Sequence, residues 1–313
     1  MLLAVAPSPA LDRTLLLNNL VLGGLHRPTN VLDLPGGKGL NVARAAHRLG
    51  ADVTALAVLG GHSGAVVEKL LAAEGIRADI VTGVAPTRIC TTVISQITAT
   101  STNFYEPASH VTAEDWSALV ERVAASLARG LAWVTVSGSL PPGIGPREIA
   151  HLVDMAHKAG ARIAVDTHGD ALRAVLELEP DVVKVNVHEA AEVVAPGSQD
   201  AALCARRLHE LRGHGWLTVV TAGELGAVAI TDRDAWVALP LAAGRYPIGS
   251  GDTFLAGLVI GLERDLSVPR ALAYASSAAA ANTQVPGAAI FDSGLAERWM
   301  ADVTITGLIR GGD

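Results

Sequence analysis

No apolar run in this sequence reaches the ~18–20 residues needed to span a bilayer, although half of its residues are hydrophobic. The longest candidate, after Asp252, is short and broken by glycines. A membrane partner is therefore not expected, and a sizeable buried core is. Met1-Leu2-Leu3-Ala4-Val5-Ala6-Pro7 carries no basic stretch before its apolar residues, so it does not read as a secretion signal. Cysteine is nearly absent. Cys90 and Cys204 lie far apart and read as free thiols in a reducing cytoplasm rather than as a disulfide. The net charge is −7 with no basic run, which argues against nucleic acid as a partner. Lysine is scarce, at Lys38, Lys69, Lys158 and Lys184 only, against twenty arginines. Lys38 lies between glycines and Lys184 lies two residues before Asn186, so both places draw attention. Lys69 and Lys158 fall in helix-like surface patterns.

Several motifs are missing too. The Gly-x-x-x-x-Gly-Lys-Ser/Thr spacing of a Walker A loop occurs nowhere. Gly-x-Gly-x-x-Gly fails both at Gly36 and at Gly249, which removes the dinucleotide fingerprint. The ten histidines show no metal spacing, and no Gly-x-Ser-x-Gly elbow offers a hydrolase nucleophile. There is no internal repeat or low-complexity tract. At 313 residues, one large domain with an accessory piece is the expectation.

What is present has a rhythm. Leu2–Val5 reads as a buried first strand, and Thr14–Leu17, Asn30–Leu34, Arg88–Gln96 and Ser101–Tyr105 read as short strands among turn residues. A helix over 39–49, a strand over 53–59 and a helix over 65–74 separate the two strand groups. From Thr112, helices and strands alternate. Helices fall at 112–129, 146–159, 171–178, 188–194 and 201–212, and strands at 133–137, 162–166, 182–185 and 217–221. Gly226–Thr231 and Ala235–Pro240 read as a hairpin, and helices from about Asp252 and over 268–283 close the chain. Such alternation predicts an α/β fold with a mostly parallel sheet covered on both faces. The strand groups at 12–34 and 87–107 pair into a small β-sheet inserted in a core made of 1–11, 35–86 and 108–313. In such sheets ligands bind at the carboxyl ends of strands. Polar residues collect there: Asp12, Ser137-Gly138-Ser139, Asp166-Thr167, Asn186 and Thr221.

Four segments carry chemistry. Gly249-Ser250-Gly251-Asp252 is a loop running into a helix, whose N–H groups and positive end suit a phosphate. Asp252 there is either an N-cap or a general base beside a phosphate cradle. Pro35-Gly-Gly-Lys-Gly-Leu-Asn-Val-Ala-Arg44 opens a helix with glycines that admit a ligand, the charge of Lys38 and the amide of Asn41. Val182-Val-Lys-Val-Asn-Val-His-Glu189 ends a strand; Asn186 and Glu189, three apart, are either a helix cap and its partner or oxygen ligands reaching Mg²⁺ through water. Ser137-Gly-Ser-Leu-Pro-Pro-Gly143 is a rigid strand-end loop, and Thr221-Ala-Gly-Glu-Leu-Gly226 is a nucleotide-side loop or a plain hairpin.

Taken in order, these segments resemble the ribokinase-like (PfkB) carbohydrate kinases, and most closely their phosphosugar branch, which contains 1-phosphofructokinase and tagatose-6-phosphate kinase. Ser8-Pro-Ala-Leu-Asp12 and Thr87-Arg88 match further features of that branch. The resemblance implies the doubly wound fold with a β lid, a homodimer through that lid, and ATP and Mg²⁺ as cofactors. It implies Asp252 as catalytic base with Gly249, Ser250 and Gly251 as anion hole. It implies Asp12, Gly37, Lys38, Asn41, Arg88 and Ser137 on the substrate side. Lys184, Asn186, Thr221, Gly223, Gly226 and Asn282 fall on the nucleotide side, with Asn186 and Glu189 at the metal. Ser8 stands where the branch has Asn, Val185 where it has Pro and Ser250 where it has Ala. Ser101–Pro107 aligns in two registers, so Asn103 is given no role. The expected activity is phosphorylation of a ketohexose monophosphate. The rivals are a kinase for a neutral sugar or nucleoside, and a non-catalytic sugar- or nucleotide-binding regulator.

Overall fold

The computed structural model describes residues 1–212, 216–239, 241 and 244–308. The chain opens with β1 (Leu2–Ala6), whose five residues are all buried. It then leaves the core for β2 (Ala10–Leu17) and β3 (Asn30–Gly36) and returns as α1 (Lys38–Arg48), β4 (Val53–Leu59), α2 (Gly61–Ala73) and β5 (Arg77–Thr82). A second excursion forms β6 (Ile89–Ser95) and β7 (Thr100–Tyr105). After these, α3 (Ala113–Leu127), β8 (Trp133–Ser137), α4 (Pro146–Lys158), β9 (Arg162–Asp166), α5 (Gly169–Leu176), β10 (Val182–Asn186), α6 (Val187–Val194), α7 (Ala201–Arg212) and β11 (Leu217–Thr221) alternate. The chain ends with β12 (Ala227–Ile230), β13 (Ala235–Leu239), α8 (Ser250–Glu263), α9 (Val268–Asn282), α10 (Ser293–Trp299) and β14 (Thr304–Leu308). The expected end of the hairpin at Pro240 lies outside the described residues.

The main sheet has ten strands in the order β14-β13-β12-β11-β10-β9-β8-β1-β4-β5. From β11 to β5 it is parallel, and β12, β13 and β14 extend it antiparallel. Its strands alternate faces, as a period of two requires. Leu2, Ala4 and Ala6 face α1, α8 and α9, while Leu3 and Val5 face the core under α3 to α7. The first face is built of small residues. A Cβ on Gly39 would lie 2.5 Å from the Cα of Ala6, and one on Gly257 2.9 Å from the Cα of Ala275. Bare backbone at these two places lets α1 settle on the end of β1 and α8 settle on α9.

Strand order reverses between β1 and β8, which splits their carboxyl ends and opens a crevice there. Above it lies the second sheet, in the order β3-β2-β6-β7. Only β2 and β6 pair in parallel within it. β5 was not expected. It lies at the sheet edge, and its six residues Arg-Ala-Asp-Ile-Val-Thr bury only Val81 fully. The C-terminal α10 and β14 were also not expected, and they bury little more than Ala296.

Candidate active site

α8 begins at Ser250, two residues before the start expected from the sequence. Its N-cap is Gly249 in the left-handed region, at φ 77°, and no side chain caps the first turn. A Cβ at Gly249 would meet that of Ala288 at 2.6 Å, so glycine is required both by angle and by space. The helix therefore presents its first N–H groups and its positive end bare. Asp252 is the third residue of the helix, not its cap. Its carboxylate is buried, and Oδ2 accepts a bond from Nδ2 of Asn41 at 2.8 Å. Burial first, then the charge of Asp166, pushes its pKa up to about 7, against the pull of Lys38, Lys184 and the Asn41 amide. A carboxyl group poised there can exchange a proton at neutral pH.

Beside it lies a buried charge network. Asp166, at the end of β9, is fully buried and accepts from Lys184 Nζ at 2.6 Å and from Lys38 Nζ at 2.7 Å. Burial alone would raise its pKa, but Lys184 and Lys38 outweigh that and hold it below the usual carboxylate range. Lys38 also donates to Glu189 Oε1 at 2.6 Å. Burial works against its charge, yet Asp166 and Glu189 keep the ammonium protonated well above its ordinary range. Lys38 is thus already paired with two carboxylates. Lys184 reaches the turn of α8, since a Cβ on Gly251 would lie 3.0 Å from its Nζ. Asp166 had been read only as a polar strand end; two lysines converging on it are visible only in three dimensions.

Asn186 and Glu189 form a complete capping box. Asn186 Oδ1 accepts from Glu189 N, and Glu189 Oε2 accepts from Asn186 N, each at 2.9 Å. The helix-capping alternative is therefore realised, and both oxygens of Glu189 already have protein donors. Among the described residues no group of three or more His, Cys, Asp or Glu is placed to hold a metal ion.

Several of the expected substrate-side residues meet at the segment that follows β1: a Cβ on Gly37 would lie 2.8 Å from the carbonyl of Ser8, which also accepts from Arg88. Asp12 on β2 packs over the glycine loop, and a Cβ on Gly36 would strike its carboxyl carbon at 2.0 Å. Burial raises its pKa to about 6, against Arg44, the Gly37 N–H and Arg88. Gly37 caps α1 at φ 82°, again with no side-chain cap. Arg88 Nη2 donates to the carbonyl of Ser8 at 3.3 Å, and among the described residues Arg88 pairs with no carboxylate. Four buried polar atoms in this region have no partner among the described residues: Ser8 Oγ, Asn41 Oδ1, Arg88 Nε and Ser137 Oγ. Unsatisfied buried groups are costly unless something else bonds them, and a ligand with many hydroxyls would.

On the other side of the α8 turn lies a cavity of about 530 Å³. Thr221, Gly223 and Gly226 line it, together with Ser250, Gly251 and the apolar Phe254 and Ile248. Its roof is the turn between β6 and β7, with Ser95, Gln96 and Thr100, which the sequence had not linked to this side. Asn282 does not line it. Its amide donates to the carbonyl of Ile248 at 2.8 Å and accepts from Thr253 at 3.4 Å, so it braces the Gly249 turn from behind.

Comparison with known proteins finds relatives along nearly the whole chain. The family described as pfkB family carbohydrate kinase matches residues 11–293. A 1-phosphofructokinase of Haloferax volcanii is 35% identical over 275 residues, 87% of each chain. An ATP-dependent 6-phosphofructokinase isozyme 2 of Mycobacterium tuberculosis is 30% identical over 273 residues, 85% of this chain and 78% of that one. The crystal structure of phosphofructokinase-2 from Escherichia coli in complex with substrates and products superposes with a TM-score of 0.87 at 25% identity, covering 96% of this chain and 98% of that one.

Proposed function

We propose that this chain, which belongs to the pfkB family of carbohydrate kinases, transfers the γ-phosphate of ATP to a ketohexose monophosphate: fructose 1-phosphate, tagatose 6-phosphate or fructose 6-phosphate. Membership makes it an ATP-using carbohydrate kinase, and its 1-phosphofructokinase and 6-phosphofructokinase relatives support a sugar phosphate as acceptor. The observation that carries the transfer chemistry is Asp252, a buried carboxyl with a pKa near neutrality, held by Asn41 at an uncapped helix start, while Arg88, paired with no carboxylate among the described residues, favours a phosphate on the sugar.

The sugar enters the crevice between β1 and β8, with its phosphate on Arg88 and its hydroxyls toward Asp12, Asn41 and Ser137. Asn41 holds one oxygen of Asp252, which leaves the other to take the proton of the attacking hydroxyl. The N–H groups at Gly249 to Asp252, with Lys184 beside Gly251, stabilise the charge that develops on the transferring group. The adenosine lies in the cavity along Thr221, Gly223 and Gly226. Mg²⁺, brought with the nucleotide, supplies further charge neutralisation on its phosphates. The engaged oxygens of Glu189, and Asn186 beside them, suit an ion held through water rather than directly. The second sheet acts as a lid that keeps water from ATP. β7 is exposed along its whole length, with Phe104 and Tyr105 among its residues, and we assign to this face a homodimer contact. The free, buried Cys90 and Cys204 fit a cytoplasmic setting.

The test is ADP release with a sugar panel, for wild type and Arg88→Ala. Wild type should turn over a fructose or tagatose phosphate far better than fructose, ribose or adenosine, by kcat/KM. Arg88→Ala should remove most of that preference while sparing neutral sugars. Preference for a neutral sugar or a nucleoside would overturn the substrate assignment and leave the kinase. Failure to release ADP with any sugar would leave only a binding protein.

A further inference from the structure

We propose that Arg44 is a positioning residue of this reaction: its buried guanidinium ties the glycine loop of the sugar side to the segment beneath the phosphate cradle, so the two halves keep one spacing. Arg44 lies on α1, three residues after Asn41, and is fully buried. Residues so spaced share a helix face. Asn41 reaches Asp252, and Arg44 reaches what lies under Gly249.

The three nitrogens divide the task. Nε and Nη2 grip Glu74, at 2.9 and 2.8 Å for their shorter bonds. Nη1 donates to two main-chain carbonyls, of Ala288 at 2.7 Å and of Pro35 at 3.3 Å. Pro35 immediately precedes Gly36, Gly37 and Lys38. Ala288 is the residue on which bare Gly249 rests, and Ala289 after it holds φ 52°, an angle that Ala does not favour. One nitrogen therefore fixes the loop that receives the sugar and the floor of the turn that receives the phosphate. An ion pair alone would not need this, because buried pairs are replaceable by apolar residues at little cost. The fork of Arg fits here because lysine cannot hold a carboxylate and two carbonyls together.

The charge of Arg44 also bears on Asp12. Burial is the largest influence on that carboxyl, and Arg44 is foremost among those opposing it, ahead of the Gly37 N–H and Arg88. The other titratable groups facing Asp12 are Cys90 and Tyr105, both neutral near pH 7.

This inference rests on the kinase reading, and the experiment separates their failures. Arg44→Met, Arg44→Lys and Glu74→Gln are compared with wild type on the phosphosugar that wild type prefers, for kcat, KM, pH profile and Tm. Arg44→Met should lose about 10²-fold in kcat/KM, as displacements of reacting groups do. Asp12, without its main cation, should titrate higher and join Asp252, at about 7, in the acid limb of the kcat/KM profile, which should steepen. Arg44→Lys keeps the charge but not the two carbonyl bonds. It should lose about tenfold or more in kcat with the acid limb in place. Glu74→Gln keeps both carbonyl bonds and should lose Tm while kcat and KM stay within about twofold. If Arg44→Met does not fold, Arg44→Lys and Glu74→Gln decide. The inference is overturned if the Arg44 variants keep kcat and KM within about twofold on folded protein while Tm falls. It is equally overturned if Glu74→Gln loses as much activity as they do. Wild type inactive on every sugar would instead sink the kinase reading, and this inference with it.

Discussion

Asp252→Asn should move activity and stability in opposite directions. The side chain keeps its shape and can still accept from Asn41, but it can no longer take a proton. Loss of a general base lowers rate by about 10²–10⁴. Stability follows from the pKa shift. In the unfolded chain the carboxyl has an ordinary pKa of 3.8, and in the fold it is raised to about 7. A raised carboxyl favours the fold while protonated and opposes it once ionised. The difference of about 3 pKa units sets a ceiling of about 4 kcal/mol on that opposition, at about 1.4 kcal/mol per unit. It grows from about pH 4 to about pH 7 and is constant above. Asn carries no such charge. The variant should therefore melt higher than wild type at about pH 8, by less at about pH 5, and equally near pH 4. The assays are ADP release at saturating sugar and thermal melts across that range. The reasoning is refuted if the variant keeps more than about half of wild-type kcat. It fails also if Tm drops by the same amount at every pH, for then the side chain matters as packing.

Two other substitutions probe the surroundings. Glu189→Gln should raise the Mg²⁺ concentration for half activity and also lower Tm, because the side chain holds Lys38 as well as the start of α6; a lower Tm with unchanged Mg²⁺ dependence would leave it a helix cap alone. Gly249→Ala should cost most of kcat, since its Cβ would sit 2.6 Å from that of Ala288 at φ 77°, and an active, equally stable variant would show that the turn can shift without loss.

Where buried strands recur with capped helices, the fold could be read along the chain. Leu2–Ala6, Trp133–Ser137 and Leu217–Thr221 are apolar runs that sit in the sheet where expected. β5 escaped because an edge strand needs few buried side chains, and Arg77 and Asp79 interrupt its apolar pattern. The site was legible where backbone needs glycine, at Gly37 and Gly249, since those demands are local. The ion pairs of Lys38 were not legible, because their carboxylates, Asp166 and Glu189, come from 128 and 151 residues away. Asn282 likewise bonds Ile248 before α8 and Thr253 within it, 34 and 29 residues away. Pairings between distant segments leave no spacing to read.

The roof of the large cavity belongs to the same small sheet that carries Asp12 and Arg88. On the proposed reading, sugar and nucleotide therefore both rest on this one sheet. A ligand that fixes the sheet on one side would leave the second to meet a surface already set for it. Thermodynamics makes such help mutual: the factor by which sugar tightens nucleotide must equal the factor by which nucleotide tightens sugar. A sheet with a foot in each subsite thus makes the two affinities a single linked quantity.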